Sequence, residues 1–486
     1  MQKQNAAYQK IVTAIKSRKN GCTAADITAA TALELSLVNE LLPKAADEYS
    51  GQLRITESGE ILYYFPDGYA SRYKGFGIAA KKIFTILFRF FKKVSVLLFK
   101  IWIVFMLIGY FVLFLAIALA SVFITVASKS GGKGSGRGSS FSFGLFDILI
   151  RIWFYTELTR SYDDYSDMYK KAPPKKEKSP LHKAIFSFIF GDGDPNINWD
   201  NNQKKAVISY IQANSGVISL CEYMAFSGIN SLEAQKELLS FCSKYDGSPE
   251  VTQEGTIVYR FDKLLLGTEE KTIRETALPD KKLKTFSVNS KTKNIVFALI
   301  NGFNLFFGSY FFYQSFEAGK LITKESYKAA SNIYVNVHNI LSFFLEEPYS
   351  FIRIVLGLVP LLFSVFFWLI PLVRFFKEKK ENENIKMGNF KRFGFNKIWS
   401  SPQQVDKFTF DTSVKERKIR NSEKAMDIVI KEISAVSMPE IEISENGSEI
   451  YSFNELINEK TALANYRRNI DLSKTQIGNT VFDSRD

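Results

Sequence analysis

Oxygen-bearing side chains at alternating positions are the first chemistry the sequence offers. From residue 190 to 202 it reads FGDGDPNINWDNN, with Asp192, Asp194, Asn196, Asn198 and Asp200 two apart. Hard oxygen donors at that spacing are what a calcium loop uses, but it also needs glycine sixth and a bidentate glutamate twelfth. Ile197 and Gln203 stand at those places, so the plainer reading is a turn rich in Asp, Asn, Gly and Pro. These five residues are the metal candidate the sequence holds. His182 and His338 are far apart, and Cys22, Cys221 and Cys242 lack CxxC spacing. A zinc site or a Ser-His-Asp hydrolase needs more than this. The cysteines read as small buried hydrophobes in a reducing compartment. GGKGSGRGSS, residues 131–140, lacks the GK[ST] ending of a phosphate loop and reads as a flexible linker. No enzymatic activity and no cofactor are expected.

The elements that would position such residues are mostly membrane segments. The chain has 486 residues, net charge +13 and 44 phenylalanines, and a near-neutral mean hydropathy that averages very unlike stretches. Residues 101–127 carry no charge and as a helix would be about 40 Å long, more than a hydrocarbon core of about 30 Å. Residues 295–316 and 351–373 read as two further spans. Asn301, Gly302, Asn304 and Gly308 in the second mark helix–helix contact in preference to a polar pathway. Pro360 and Pro371 should kink the third, and Arg353 can snorkel at its start. The basic stretch after the third span places the C-terminal region in the cytoplasm, and the loop between spans two and three outside.

Lys82, Arg89, Lys93 and Lys100 recur at helical spacing in an apolar run, the pattern of a membrane-interface helix against anionic lipid. It places the N-terminal region in the cytoplasm. A short apolar run at 141–155, with Asp147 and Arg151, is read as a fourth, tilted crossing because the basic KKAPPKKEK follows it. The N-terminus has no apolar stretch that would act as a cleavable signal peptide. The expected location is the cell inner (cytoplasmic) membrane, multi-pass, with both termini cytoplasmic.

Internal repetition organises the remainder. Residues 49–65, YSGQLRITESGEILYYF, align without a gap on residues 245–261, YDGSPEVTQEGTIVYRF. A third copy, IEISENGSEIYSF, begins at Ile441. Gly59, Tyr63 and Phe65 thus match Gly255, Tyr259 and Phe261, and Gly447, Tyr451 and Phe453. Apolar alternation around a Gly-containing turn predicts a β-hairpin in each copy. Helical stretches precede the first hairpin at 8–17, 23–31 and 34–49, and the second at 204–213, 219–226 and 231–245. Three helices and a hairpin is the winged-helix arrangement. The third copy shows one helix, at 422–436, and could complete a module in cis or in trans.

The fold class is therefore an α-helical membrane protein with α+β winged-helix-like repeats outside the bilayer. Module 1 spans 1–70; the basic helix, first span, Gly/Ser loop and short apolar segment span 71–158; a basic linker and the FGDGDPN turn span 159–202. Module 2 spans 203–265, a linker 266–294, the two further spans with their outer loop 295–373, and a basic juxtamembrane region 374–421. A partial third repeat occupies 422–456 and a tail 457–486.

Winged helices that bind DNA put Lys and Arg on the recognition helix. The first such helix has Glu34, Glu40, Asp47 and Glu48 against Lys44, and in the second Glu233 and Glu237 offset Lys236 and Lys244. Binding to protein is the expected use, with nucleic acid disfavoured. In order of segments, and in its FGDGDPN motif, the chain resembles an uncharacterised family of multi-pass membrane proteins of cyanobacteria, other bacteria and plastids. That resemblance implies the architecture and no activity. The expected function is a membrane-anchored protein-interaction scaffold or assembly factor. Membrane lipid, a protein partner and self-association are the expected contacts. A membrane-tethered nucleic-acid-binding regulator and a transporter or channel are the rival readings.

Overall fold

A computed structural model describes residues 2–18, 21–66, 68–69, 72, 76–129, 180–268, 279–321, 333–406, 422–443, 449–471 and 477–484. In chain order the elements begin with α1 (Gln2–Lys16), α2 (Ala24–Thr31), α3 (Leu35–Glu48), β1 (Gln52–Thr56) and β2 (Ile61–Tyr64). Then come α4 (Phe76–Val104), a π-helical turn Phe105–Gly109, α5 (Tyr110–Lys129), α6 (Leu181–Phe190) and α7 (Trp199–Ala213). There follow β3 (Val217–Ser219), α8 (Leu220–Ser227), α9 (Ser231–Tyr245), β4 (Ser248–Val251) and β5 (Ile257–Arg260). After these lie α10 (Lys291–Leu321), α11 (Ile333–Leu341), a π-helical stretch Ile352–Leu358 and α12 (Val359–Ser400). The chain closes with β6 (Val405–Asp406), α13 (Ser422–Ser434), β7 (Glu440–Ile443), β8 (Glu449–Ser452), α14 (Asn454–Asn469) and β9 (Thr480–Asp483). The fold is mostly helical, with three long apolar helices and three small antiparallel three-stranded sheets.

Two compact units share these elements. One gathers Met1–Lys82, Asp194–Lys284 and Lys380–Asp486, and the other Ile83–Gly193 and Thr285–Lys379. In the first unit the same construction recurs three times. A short extended segment after the first helix pairs with the second hairpin strand, which pairs with the first. In the middle copy the order is β3-β5-β4, and in the last β6-β8-β7; in the first copy the Cys22–Tyr63 bridge replaces the short strand. The registers coincide as well. Leu53, Pro249 and Ile441 stand opposite Tyr63, Tyr259 and Tyr451. The three tyrosines are buried, as are Phe65, Phe261 and Phe453. Gly51 and Gly247 explain another shared position. A Cβ there would lie 2.7 Å from the Phe65 ring and 2.4 Å from that of Phe261, so only glycine lets the ring rest on the backbone.

The third copy reaches beyond the segment 422–456. The end of α12 supplies its first helix, through buried Phe390, Phe395 and Ile398, and β6 supplies the short strand, so it is built in cis. These residues merge with the core of the middle copy, while the first copy has a core of its own.

The apolar helices lie in the second unit, apart from the end of the last, which from Lys380 onward belongs to the first. Those long and apolar enough to cross a membrane are Ile86–Ile124, Lys291–Glu317 and Pro348–Ser400. The basic stretch expected as a separate interface helix is continuous with the first of them. Nothing in residues 76–104 breaks a helix, so α4 runs unbroken past Lys100 to the π turn. The segment 141–155 lies outside the described residues. Helix α10 approaches both α12 and the π-helical stretch before it closely: a Cβ on Gly308 would lie 3.0 Å from the Leu361 nitrogen, and one on Gly357 would lie 2.9 Å from the Phe312 backbone. Gly302 has no such neighbour. The amides bridge the bundle. Asn301 Nδ2 donates to the Ser364 carbonyl at 3.0 Å, and Asn304 Nδ2 to the Leu107 carbonyl, in the π turn, at 2.7 Å. Pro360 lies just after the other π-helical stretch and Pro371 within α12, which continues through both to Ser400.

Candidate interaction site

The site is built at the start of α2. Thr23 is its N-cap in a capping box with Asp26, an arrangement that satisfies two backbone donors the first turn leaves free. The Asp26 carboxylate, 4% exposed, does more than cap. Thr268 donates to it through its backbone N–H at 3.0 Å and its hydroxyl at 2.8 Å. The Thr23 hydroxyl in turn donates to the Leu266 carbonyl at 2.7 Å. The first copy is therefore fastened to the segment that leaves the second copy. Charge-assisted hydrogen bonds of this kind are about twice as strong as neutral ones.

From there α3 and α9, the third helices of the two copies, face each other across a cavity of about 240 Å³. Leu35, Ser36 and Asn39 line one wall, Ser243, Lys244 and Asp246 the other. The Tyr245 hydroxyl donates to the Ala32 carbonyl at 3.3 Å. Burial first, and then the Glu34 carboxylate, push that hydroxyl up to about 12, so it remains a donor at neutral pH. The charges expected to decide between DNA and protein are partly committed within the unit. Glu40 pairs with Lys44 at 2.7 Å and accepts from Gln4 Nε2, and the Tyr8 hydroxyl donates to Glu48 at 2.5 Å. Glu237 accepts from the Tyr223 hydroxyl at 2.5 Å.

Helix α14 clamps the second copy. Arg467 meets buried Glu222 with both terminal nitrogens, at 3.1 and 2.6 Å, and donates to the Val217 carbonyl at 2.7 Å. Tyr210 adds its hydroxyl to Glu222 at 2.6 Å. Tyr466 reaches Glu250 in β4. Farther along, β9 adds to the open side of β1, so the first sheet runs β2-β1-β9. Ile55 stands opposite Phe482 and Arg54 opposite Asp483, whose carboxylate lies 2.8 Å from Arg54 Nε. The sequence offered no sign of this strand, since four residues, TVFD, take their pairing from a stretch more than four hundred residues earlier.

Three of the five oxygen-bearing residues around FGDGDPN bond within the chain. Asp192 accepts from the Ser187 hydroxyl and the Val288 N–H, both at 2.8 Å. Asp194 accepts from the Asn196 N–H at 2.9 Å and pairs with Lys284 at 3.1 Å. The Asn196 side chain brackets Lys282, donating to its carbonyl and accepting from its N–H. Asn198 precedes α7 without a side-chain cap, and Asp200 lies in that helix's first turn. Among the described residues no cluster of His, Cys, Asp or Glu is arranged to hold a metal ion. The motif's glycine has a different partner. A Cβ on Gly191, φ +78°, would sit 2.4 Å from Arg374 Nη1. That guanidinium donates to the carbonyls of Phe286 at 2.6 Å and Phe188 at 2.8 Å, pairs with Glu378 at 2.9 Å, and lies over the Phe286 ring.

Of the basic residues on α4, Arg89 and Lys93 are exposed, and Lys100 stands 4.3 Å from the Phe186 ring centre; of Lys82 only the helix is described. Gly59 and Gly255 occupy the hairpin turns with positive φ, while Gly447 lies outside the described residues. All three cysteines are buried.

No family model matches the chain, and no solved structure matches it. It shows distant homology to an uncharacterized chloroplastic protein of Arabidopsis thaliana, 24% identical over 404 residues that cover 78% of this chain and 70% of that protein.

Proposed function

We propose that the protein is a membrane-anchored interaction scaffold or assembly factor. Its repeats are winged-helix-like modules: the first two run helix, short extended segment, two helices and hairpin, and the described residues of the third keep the first helix, the short strand, one further helix and the hairpin. The observation that carries the reading is the pairing of α3 with α9. The helices that would enter a DNA groove face each other instead; Lys44 is paired with Glu40, and on α9 Glu233 and Glu237 offset Lys236 and Lys244. Modules used this way assemble on one another and leave other surfaces, the exposed hairpin strand β7 of the third module included, for a protein partner. The membrane helices anchor this assembly in a lipid bilayer at the cytoplasmic face, with Lys and Arg after the third span favouring that side. On this reading the modules share one face of the membrane, so the chain crosses an even number of times between residues 82 and 194. The helix α4–α5 supplies one crossing, and the apolar run at 141–155 is the sequence's candidate for the return.

The rival reading is a tethered nucleic-acid binder. Titrating full-length protein in mild detergent with duplex DNA over a range of salt separates the two. Weak binding without sequence preference supports the scaffold. Tight binding that falls steeply with salt and is abolished by substitutions on α9 overturns it.

A further inference from the structure

The three modules treat one position differently, the outer edge of the first hairpin strand. In module 1 that edge is filled. Leu53 donates its N–H to Ser484 Oγ at 3.0 Å and accepts from the Ser484 N–H at 2.9 Å, while Glu57 donates to the Asn479 carbonyl at 2.9 Å. Outward backbone groups therefore fall at residue 53 and every second residue after it. In module 2 the residue in the register of Leu53 is Pro249, which has no N–H to offer; proline is a common way of closing a sheet edge. In module 3 the residue is Ile441. There β7 reads Glu-Ile-Glu-Ile, and all four residues are exposed, Ile441 by 59% and Ile443 by 78%. Among the described residues β7 pairs with β8 alone.

We propose that β7 is a docking edge for an extended segment of a partner protein, added antiparallel as β9 adds to β1. This rests on the scaffold reading and names its surface. Charge specifies the occupant. Arg54, with Leu62 opposite on the inner side and Asp483 on the outer, corresponds in β7 to Glu442, which has Ile450 opposite on the inner side. The chain's own tail would set Asp483 against Glu442, and like charges directly opposite are destabilising. The complementary strand has an apolar residue opposite Ile443, Lys or Arg opposite Glu442, an apolar residue opposite Ile441 and Lys or Arg opposite Glu440. Backbone pairing then supplies affinity, and the alternating side chains supply selection.

The test uses full-length protein in mild detergent and two fluorescent eight-residue peptides, one alternating valine and lysine, the other valine and glutamate. Saturable binding of the lysine peptide is expected, with slowed amide exchange at Ile441 and Ile443. Glu442→Arg, at an exposed position, should weaken that peptide by about three- to tenfold and bring in the glutamate peptide. Ile441→Pro should abolish both. Binding indifferent to both substitutions, or no binding of either peptide, overturns the proposal. Exchange protection that appears without peptide and grows with protein concentration also overturns it, because the edge then belongs to a second copy. Failure here is separable from failure of the scaffold: nuclease-resistant partners unaffected by Ile441→Pro keep the scaffold and reject this edge.

Discussion

Asp26 and Thr268 are 242 residues apart, yet the Asp26 carboxylate receives both the backbone N–H and the hydroxyl of Thr268. The same carboxylate caps its own helix, so local helix initiation and module packing depend on one side chain. Asp26→Ala should cost about 1–3 kcal/mol, the penalty for leaving such donors unmatched. It should also loosen the first module from the second. Chemical denaturation with limited proteolysis between residues 50 and 80 checks both, and unchanged stability with unchanged cleavage would contradict the account.

The Arg467–Glu222 pair makes a sharper energetic claim. Glu222 is 3% exposed, and removing its partner leaves a buried carboxylate without a counter-charge. Arg467→Ala should destabilise by the low end of about 3–5 kcal/mol, since Arg467 keeps some solvent contact, whereas Arg467→Met with Glu222→Gln should recover much of the loss. A double-mutant cycle by urea denaturation reads this directly. Additive costs would mean that the two groups do not act together.

Gly191 and Gly193 both have positive φ, but only Gly191 rests on Arg374. Both Gly191→Ala and Gly193→Ala should cost about 1–3 kcal/mol for the strained backbone, and Gly191→Ala should cost more because it also displaces the Arg374 guanidinium. Thermal unfolding in detergent compares them. Equal losses would remove the role assigned here to the first glycine of FGDGDPN.

The cysteines give a pH dependence. Burial, then the nearby Asp26 charge, push the Cys22 thiol from an ordinary 9.0 up to about 12, and burial pushes Cys242 up to about 11. A raised folded value means that the fold favours the protonated thiol. That stabilisation is complete below pH 9 and is lost as pH rises through about 11 for Cys242 and about 12 for Cys22. Alkylation at pH 8 should be slow in the native protein and fast in denaturant; rapid native labelling would contradict the burial.

What was legible in the sequence follows from how local each cause is. The hairpins announce themselves because alternation and a turn glycine fit within a dozen residues, and the apolar helices because length and composition suffice. The third module hides its first helix inside α12, where Val359–Ser400 runs on without a stop signal, and β6 is two residues long. The Asp26–Thr268 fastening and β9 are set by partners hundreds of residues away, and no periodicity encodes them. The FGDGDPN motif was visible, but its partner Arg374 lies in another helix, so its oxygens drew attention to metal chemistry while its glycine does the packing.

Membrane topology is the next expectation. Reporters fused near Ser135 and near Tyr327 should both read on the side opposite the modules. A module-side signal at Ser135 would contradict the crossing assigned to α4–α5.

The scaffold itself is tested most directly by cross-linking in living cells, followed by purification of the full chain in mild detergent with and without nuclease. The account predicts protein partners whose recovery nuclease does not change. Recovery only of nuclease-sensitive material would contradict it and give first place to the tethered nucleic-acid binder.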